Sequence, residues 1–180
     1  ITEGVRDAVP IAVVPFGGQA DGGPHDVAEV IASDLQLSGR FKPLERRDLV
    51  ARPARGAQVR FEDWRLLKSD FLVIGRVEPD ANGLAVEFEL FNVQTGQQLL
   101  TRRLATNERG LRATAHRISA LIFERLTGIP GAFATRIAYV SVDGRPPSQR
   151  YRLMVADADG YGPRIVTDET KAEMKAILEE

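Results

Sequence analysis

Apolar residues in the first half of the chain follow two patterns, and both predict β-strands. Residues 11–16 (Ile-Ala-Val-Val-Pro-Phe) and 71–75 (Phe-Leu-Val-Ile-Gly) are continuous apolar runs, which is typical of strands buried on both faces. Residues 84–90 instead place polar glutamates between apolar positions with a period of two, as in an antiparallel strand covered on one face. Because residues 80–83 (Asp-Ala-Asn-Gly) favour a tight turn, we expect a hairpin at this point.

Two segments have the spacing of long helices. Apolar side chains in residues 27–35 recur on one helical face, which predicts a helix from about Pro24 to Ser38 and Gly39. Residues 107–126 predict a second, longer helix. Further short elements are expected at residues 41–44 (extended), 62–67 (helix) and 98–105 (strand).

The pattern changes after the second helix. Residues 136–142, 151–156 and 164–166 read as three short strands joined by turns. Such a meander has two exposed edges and a small core, so it is marginally stable unless more sheet joins it. The last segment, residues 167–180, has the spacing of a helix.

These patterns predict an α/β (α+β) fold. We expect a mixed sheet of about five strands with two long helices in residues 1–130, the short β-meander in residues 131–166, and a helical tail in residues 167–180.

Composition excludes several classes of protein. The 180 residues contain 24 basic and 25 acidic side chains, for a net charge of −1, so no overall field favours nucleic acid or an anionic membrane. The chain has no cysteine, which excludes disulfides, thiolate metal sites and cysteine nucleophiles. No segment reaches the roughly 18 consecutive apolar residues of a spanning helix, so we expect no membrane insertion. Because the sequence begins at Ile1 without a signal peptide, we expect a processed or excised chain.

Two glycine-containing loops partly resemble ligand sites. Residues 17–25 lie between a strand and a helix, where glycine-rich loops can bind phosphate, but the phosphate-loop spacings are missing and Asp26 would repel an anion. Asp157, Asp159 and Gly160 resemble half of a calcium loop, but its further ligands are not at the expected offsets. We therefore expect a connecting loop and a strand-connecting turn, and no metal site.

Evidence for catalysis is absent from the sequence. His25 and His116 are the two histidines, and His116 is expected at the flank of the second helix, hydrogen-bonded or solvated. Ser119 lies three residues further on, without an activating motif. We expect no catalytic residue, no cofactor and no enzyme activity.

Arginines on the second helix and the strand before it leave an alternative open, a nucleotide- or RNA-binding α/β domain. These arginines have no interleaved aromatic residues, and Glu108 and Glu124 on the same helix dilute their field. A solvated or protein-contacting face is therefore favoured over nucleic acid. The arginines concerned are Arg102, Arg103, Arg109, Arg112, Arg117 and Arg125.

The junction between the two parts of the chain, residues 126–140, carries a family resemblance. Gly128, Pro130, Gly131 and Phe133 follow the second helix and precede the first strand of the meander. This segment resembles the connection between the amino-terminal domain and the β-propeller of the TolB family. Further resemblances, in the same order as in that family, lie in residues 11–16, 34–41, 70–75, 115–119 and 151–160 and at Trp64.

The resemblance implies a noncatalytic periplasmic protein of the Tol-Pal system. Members are expected to link TolA to Pal and to support outer-membrane integrity and cell division. In the family a six-bladed propeller follows the amino-terminal domain and binds Pal, while TolA contacts the extreme mature amino terminus. Residues 1–5 resemble a point just inside that terminal segment, so neither partner site is expected to be complete.

The tail departs from the family pattern. Lys171 and Lys175 occur where arginine otherwise dominates, and the segment reads as helix instead of further propeller strands. We therefore expect residues from about 168 onward to be foreign to the natural protein.

Overall fold

The computed structural model describes residues 8–23, 25–81, 83–146 and 148–169. The chain divides into two compact units, Ile1–Gly131 and Ala132–Glu180. Residues 1–5, which resemble the segment just inside the TolA-contacting terminus of the family, lie outside the described residues.

The first unit contains five strands and three α-helices among its described residues. The strands are β1 (Val9–Val13), β2 (Phe41–Pro43), β3 (Phe71–Asp80), β4 (Gly83–Asn92) and β5 (Gln98–Thr106), and the helices are α1 (Val27–Leu37), α2 (Phe61–Leu66) and α3 (Leu111–Thr127). Single turns of 3-10 helix lie at Arg46–Asp48, Gly56–Gln58 and Glu108–Gly110.

The five strands form one mixed sheet in the order β2-β1-β3-β4-β5. Strand β1 pairs in parallel with β2 and with β3, whereas β3-β4 and β4-β5 are antiparallel. The predicted mixed sheet with two long helices is confirmed. The apolar run at residues 11–16 places β1 inside the sheet, where strands are covered on both faces.

Each face of this sheet has its own core. Val73 and Val77 of β3 point to the face covered by α1 and α3, where Ile31 and Ile118 are fully buried. Leu72 and Ile74 point to the other face, beneath Trp64 of α2. The period of two along β3 therefore divides its apolar residues between two cores.

Both long helices begin later than the sequence predicts. Helix α1 starts at Val27 because Asp26 is its N-cap and accepts a hydrogen bond from the Glu29 amide. Asn107 caps a 3-10 turn by accepting from the Gly110 amide, so α3 starts at Leu111. A capping side chain thus sets the first residue of α1, whereas α3 follows a capped 3-10 turn and its own N-cap residue, Gly110, makes no side-chain hydrogen bond.

The second unit is a three-stranded antiparallel sheet in the order β6-β7-β8. Its strands are β6 (Arg136–Asp143), β7 (Arg150–Asp157) and β8 (Arg164–Glu169). The predicted tail helix is wrong over residues 167–169, because these residues continue the pairing with β7 up to Tyr151. The rest of that prediction, residues 170–180, lies outside the described residues.

Candidate interaction surfaces

Asp26 organises the loop of residues 17–25. Its carboxylate is 3% exposed and accepts hydrogen bonds from the amides of Glu29 (3.2 Å) and Gly22 (2.7 Å) and from the Arg46 guanidinium (2.7 Å). Gln19 Oε1 accepts from the Val27 amide at 3.0 Å. Side chains of the protein thus occupy the amides at this helix N-terminus that a phosphate would need.

The histidine prediction needs a correction. His116 is expected at the boundary of the helix, hydrogen-bonded or solvated. Its Nδ1 is hydrogen-bonded, at 2.8 Å from Asp34 Oδ2 on α1, but its side chain is buried, with 3% exposed, and does not lie at the boundary. The sequence places His116 beside the apolar face of α3, and α1 packs against that face and buries the ring. Ser119 is also buried, and its hydroxyl donates to the carbonyl of Ala115 at 3.0 Å. His25 is exposed.

The acidic segment between β7 and β8 is a turn. The Gly160 amide donates to the Asp157 carbonyl at 2.8 Å, and the Tyr161 amide donates to Asp159 Oδ1 at 3.0 Å. The two aspartates thus bond to nearby amides, as expected of a strand-connecting turn.

Three arginines of β5 and α3, namely Arg102, Arg103 and Arg125, bind groups of the protein itself. Arg125 Nε donates to the carbonyl of Leu99 at 3.0 Å, and Arg102 donates to the carbonyl of Thr101 at 2.8 Å. Arg103 forms an ion pair with Asp80 at 2.8 Å. Arg109, Arg117, Glu108 and Glu124 are exposed, so the exposed face of α3 carries both signs of charge.

A charged surface lies on β3 and β4, on the face of the sheet opposite α1 and α3. The sequence patterns above do not predict it. Arg76, which is 15% exposed, bonds Glu78 at 2.6 Å on its own strand and Glu87 at 2.7 Å on β4. Burial lowers the pKa of Arg76, but hydrogen bonds and the negative charges of Glu78 and Glu87 outweigh burial and raise its pKa above the ordinary value. The alternation of Arg76, Glu78 and Asp80 was the signal for this surface.

Glu89 extends this charged surface toward residues 54–58. Its carboxylate accepts from the Gly56 amide at 3.0 Å and from Gln98 Nε2 at 2.7 Å. Arg55 reaches Glu78 at 3.3 Å. The surface therefore consists of paired charges, and its polar groups already have partners in the protein.

The junction residues lie where α3 ends and the two units divide. Gly128 caps α3 in the left-handed conformation, with φ +74°. A Cβ atom on Gly131 would come within 2.7 Å of Ala120 Cα on α3. Phe133 is half-buried. Glycine is thus required at residue 128 by backbone conformation and at residue 131 by close packing.

Helices within the described part of the chain are too short or too polar to span a membrane.

The fold defines the class of this protein: a mixed α/β domain followed by a separate antiparallel sheet. Within that class, residues 1–99 match the family model for the TolB amino-terminal domain. The chain belongs to the TolB family.

Known relatives agree with the family match. The Tol-Pal system protein TolB of Alkalilimnicola ehrlichii is 45% identical over 167 residues, and that of Thioalkalivibrio sulfidiphilus is 43% identical over 169 residues. Each comparison covers 92% of this chain and 39% of the relative. The crystal structure of TolB from Acinetobacter baumannii is similar with a TM-score of 0.78 and 35% identity, over 91% of this chain and 39% of that one. The chain therefore spans about two fifths of the length of these proteins.

Proposed function

We propose that this chain is the amino-terminal part of a noncatalytic Tol-Pal system protein that acts in the periplasm as a protein-protein interaction module. The observation that carries the proposal is the match of residues 1–99 to the TolB amino-terminal domain. The curated relatives, whose names place them in the Tol-Pal system, support it. In this proposal the whole protein links TolA to Pal and contributes to outer-membrane integrity and cell division.

We assign the two compact units to different parts of that protein. Residues 1–130 form the amino-terminal domain, and residues 131–166 begin a β-propeller. The second unit supports this assignment because Val142 (52%), Ile165 (56%) and Val166 (59%) are exposed on a sheet of three strands. Apolar residues exposed on a small sheet indicate that further strands complete it.

The junction residues Gly128, Pro130, Gly131 and Phe133 are proposed to connect the two domains. The helix-ending conformation of Gly128 and the close approach of Gly131 to Ala120 support this role. These residues then couple contacts made by the amino-terminal domain with contacts made by the propeller.

The proposal is tested by calorimetric titration of the whole natural protein with TolA and Pal from the same bacterium. A second version begins at the residue that corresponds to Ala132, so that everything before the second unit is absent. We expect this deletion to abolish TolA binding and to leave Pal binding within about threefold of the intact value, since the remaining propeller is a separate domain. If the propeller alone binds TolA with unchanged affinity, the role assigned to this domain is wrong.

The natural gene sequence beyond Val166 tests the assignment of the tail. Repeated propeller motifs that begin directly there would support a foreign tail. A natural sequence that retains residues 168–180 ahead of the propeller repeats would refute it.

A further inference from the structure

The two edges of the five-stranded sheet differ in how they are protected. Strand β2 has three residues and ends in Pro43, and a short edge strand with proline resists pairing with other chains. Strand β5 has nine residues, Gln98–Thr106, with neither proline nor glycine. Within the described residues β5 pairs with β4 alone. The β5 edge is therefore long enough to accept another strand.

The pairing of the strands shows which residues of β5 direct their backbone N–H and C=O groups away from β4. Gly75 accepts a backbone hydrogen bond from Gly17, so its backbone groups point away from β4. Its partner on β4, Phe88, must therefore direct its backbone toward β5, where it lies opposite Arg102. By alternation, the residues whose N–H and C=O groups point outward are Thr101, Arg103 and Ala105.

Arginine side chains occupy part of this outward edge. Arg102 donates to the carbonyl of Thr101, and Arg125 of α3 donates to the carbonyl of Leu99. Among the described residues, the outward backbone groups of Arg103 and Ala105 have no backbone partner. An added strand would pair with these groups, and by pairing also with the Thr101 carbonyl it would displace the Arg102 guanidinium, which could then bind the incoming chain.

The charges of β5 select the kind of chain that fits. Arg102 and Arg103 are adjacent, so they point to opposite faces of the sheet, and both are exposed. No carboxylate of the described residues forms an ion pair with Arg102. A second copy of β5, paired antiparallel in the register that matches all three outward residues of both strands, would place Arg103 opposite Arg103, which is unfavourable. Two adjacent acidic residues in the incoming strand would instead meet one arginine on each face: Arg102, which among the described residues bonds only a backbone carbonyl, and Arg103, whose exposed guanidinium already bonds Asp80 and would be shared with the incoming acid.

We propose that β5 binds an extended segment of a partner protein that carries two adjacent acidic residues and joins the sheet as a sixth strand. On the face covered by α3, Leu100 and Leu104 are half-buried on either side of Arg102. The segment therefore carries apolar residues beside its acidic pair. This inference goes beyond the proposed function and does not depend on it.

The test uses the 180-residue chain and two synthetic peptides with blocked ends. One peptide is Thr-Val-Glu-Glu-Val-Thr, and the other replaces the glutamates with lysines. Backbone amide chemical shifts are followed during titration, together with amide hydrogen exchange. With the acidic peptide we expect shifts at Thr101, Arg103 and Ala105 and slower exchange at the last two. The lysine peptide is expected to leave these amides unchanged.

Three variants distinguish peptide binding at the β5 edge from a general effect of the protein's charge. Arg103→Glu should weaken binding of the acidic peptide by about fivefold or more, from the loss of one opposite-charge pair and the gain of a like-charge pair. Ala105→Pro should weaken it as well, because it removes an outward N–H without removing a hydrogen bond to β4. Arg40→Glu makes the same charge change at the exposed residue before β2 and should leave binding unchanged.

Circular dichroism and the fluorescence of the buried Trp64 establish that each variant is folded. If Arg103→Glu does not fold, Arg102→Gln and Ala105→Pro are used instead, and both should weaken binding of the acidic peptide. The proposal is overturned if the acidic peptide produces no shifts at β5, or if both peptides shift the same amides equally. It is also overturned if these amides shift on concentrating the protein alone, because the occupant is then a second copy.

Discussion

His116 Nδ1 lies 2.8 Å from Asp34 Oδ2, and this contact joins α3 to α1 in the interior of the first unit. Both side chains are 3% exposed, and 82 residues of sequence separate them. A buried carboxylate is stable only while it has hydrogen-bond partners. The pair therefore fixes the register of the two helices that cover one face of the sheet.

Replacing Asp34 by alanine should lower the free energy of unfolding by about 2–4 kcal/mol, because a buried polar group loses its partner. Urea denaturation followed by Trp64 fluorescence measures this, since Trp64 is the one tryptophan and is buried in the first unit. Gln36→Ala, at an exposed position of the same helix, is the matched control and should change stability by less than about 0.5 kcal/mol. Equal effects of the two substitutions would contradict a stabilising role for the pair.

Asp26→Ala should cost about 2–3 kcal/mol, because the substitution removes the N-cap of α1 together with a charge-assisted bond to Arg46. Asp26→Asn should cost less, since its amide oxygen can still accept from the Glu29 amide. The control is Asp21→Ala, which breaks an exposed ion pair with Arg52 and should cost less than about 1 kcal/mol. Thermal unfolding ranks the three variants, and a larger loss for Asp21→Ala would refute the assignment of Asp26 as the organising residue.

Arg76→Ala should lower stability by about 1–2 kcal/mol, because Glu78 and Glu87 lose a shared partner. Arg76→Lys should recover only part of this, since a lysine ammonium cannot reproduce the planar two-sided contact. Arg55→Ala is the control, because the Arg55 side chain is 62% exposed and its ion pair is screened by solvent. If Arg76→Lys were as stable as the wild-type protein, charge alone would matter at this position.

The raised pKa of Arg76 also predicts a pH dependence. A cation whose pKa is higher in the folded than in the unfolded state stabilises the fold fully below the unfolded pKa, and this contribution is lost as pH rises through the folded pKa. Deprotonation of Arg76 should therefore contribute no change in stability between about pH 6 and pH 9. A stability difference between wild type and Arg76→Ala that fell steadily across this range would contradict the prediction.

The junction glycines should respond differently to substitution. Gly128→Ala should cost about 1–2 kcal/mol, because alanine is strained at φ +74°, and Gly128→Asn should cost less, since asparagine tolerates this conformation. Gly131→Ala should cost about 1–3 kcal/mol through overpacking against Ala120, and Gly131→Asn should cost at least as much. Urea denaturation measures all four variants. Rescue by asparagine at residue 131 would show that conformation, not close packing, requires glycine there.

Much of the fold follows from local sequence. The apolar run at residues 11–16 predicted a buried strand, and Gly128 and Pro130 predicted the end of α3, because these signals act within a few residues of the chain. Helix starts were predicted less well. Asp26 sets the start of α1 through a side-chain hydrogen bond, and Asn107 caps the 3-10 turn that precedes α3. The hydrophobic pattern alone does not reveal such bonds.

The polar contacts were much less predictable than the strands. Arg76, Glu78 and Asp80 alternate in the sequence, which shows that they share a face of β3. That pattern does not show that Glu87 completes the cluster, because its position depends on the register of β3 against β4. The same register decides which backbone groups of β5 point outward.

Local patterns predicted most of the strands and helices up to residue 166, a change of pattern near residue 131 and the resemblance to the TolB family, since periodicity, turn residues and motif order are local properties. The packing of the folded chain, in contrast, places His116 against Asp34, brings Arg46 to Asp26 and puts β5 at an edge of the sheet. These relationships join residues far apart in the chain. They depend on how helices pack and strands order themselves, which no local pattern specifies.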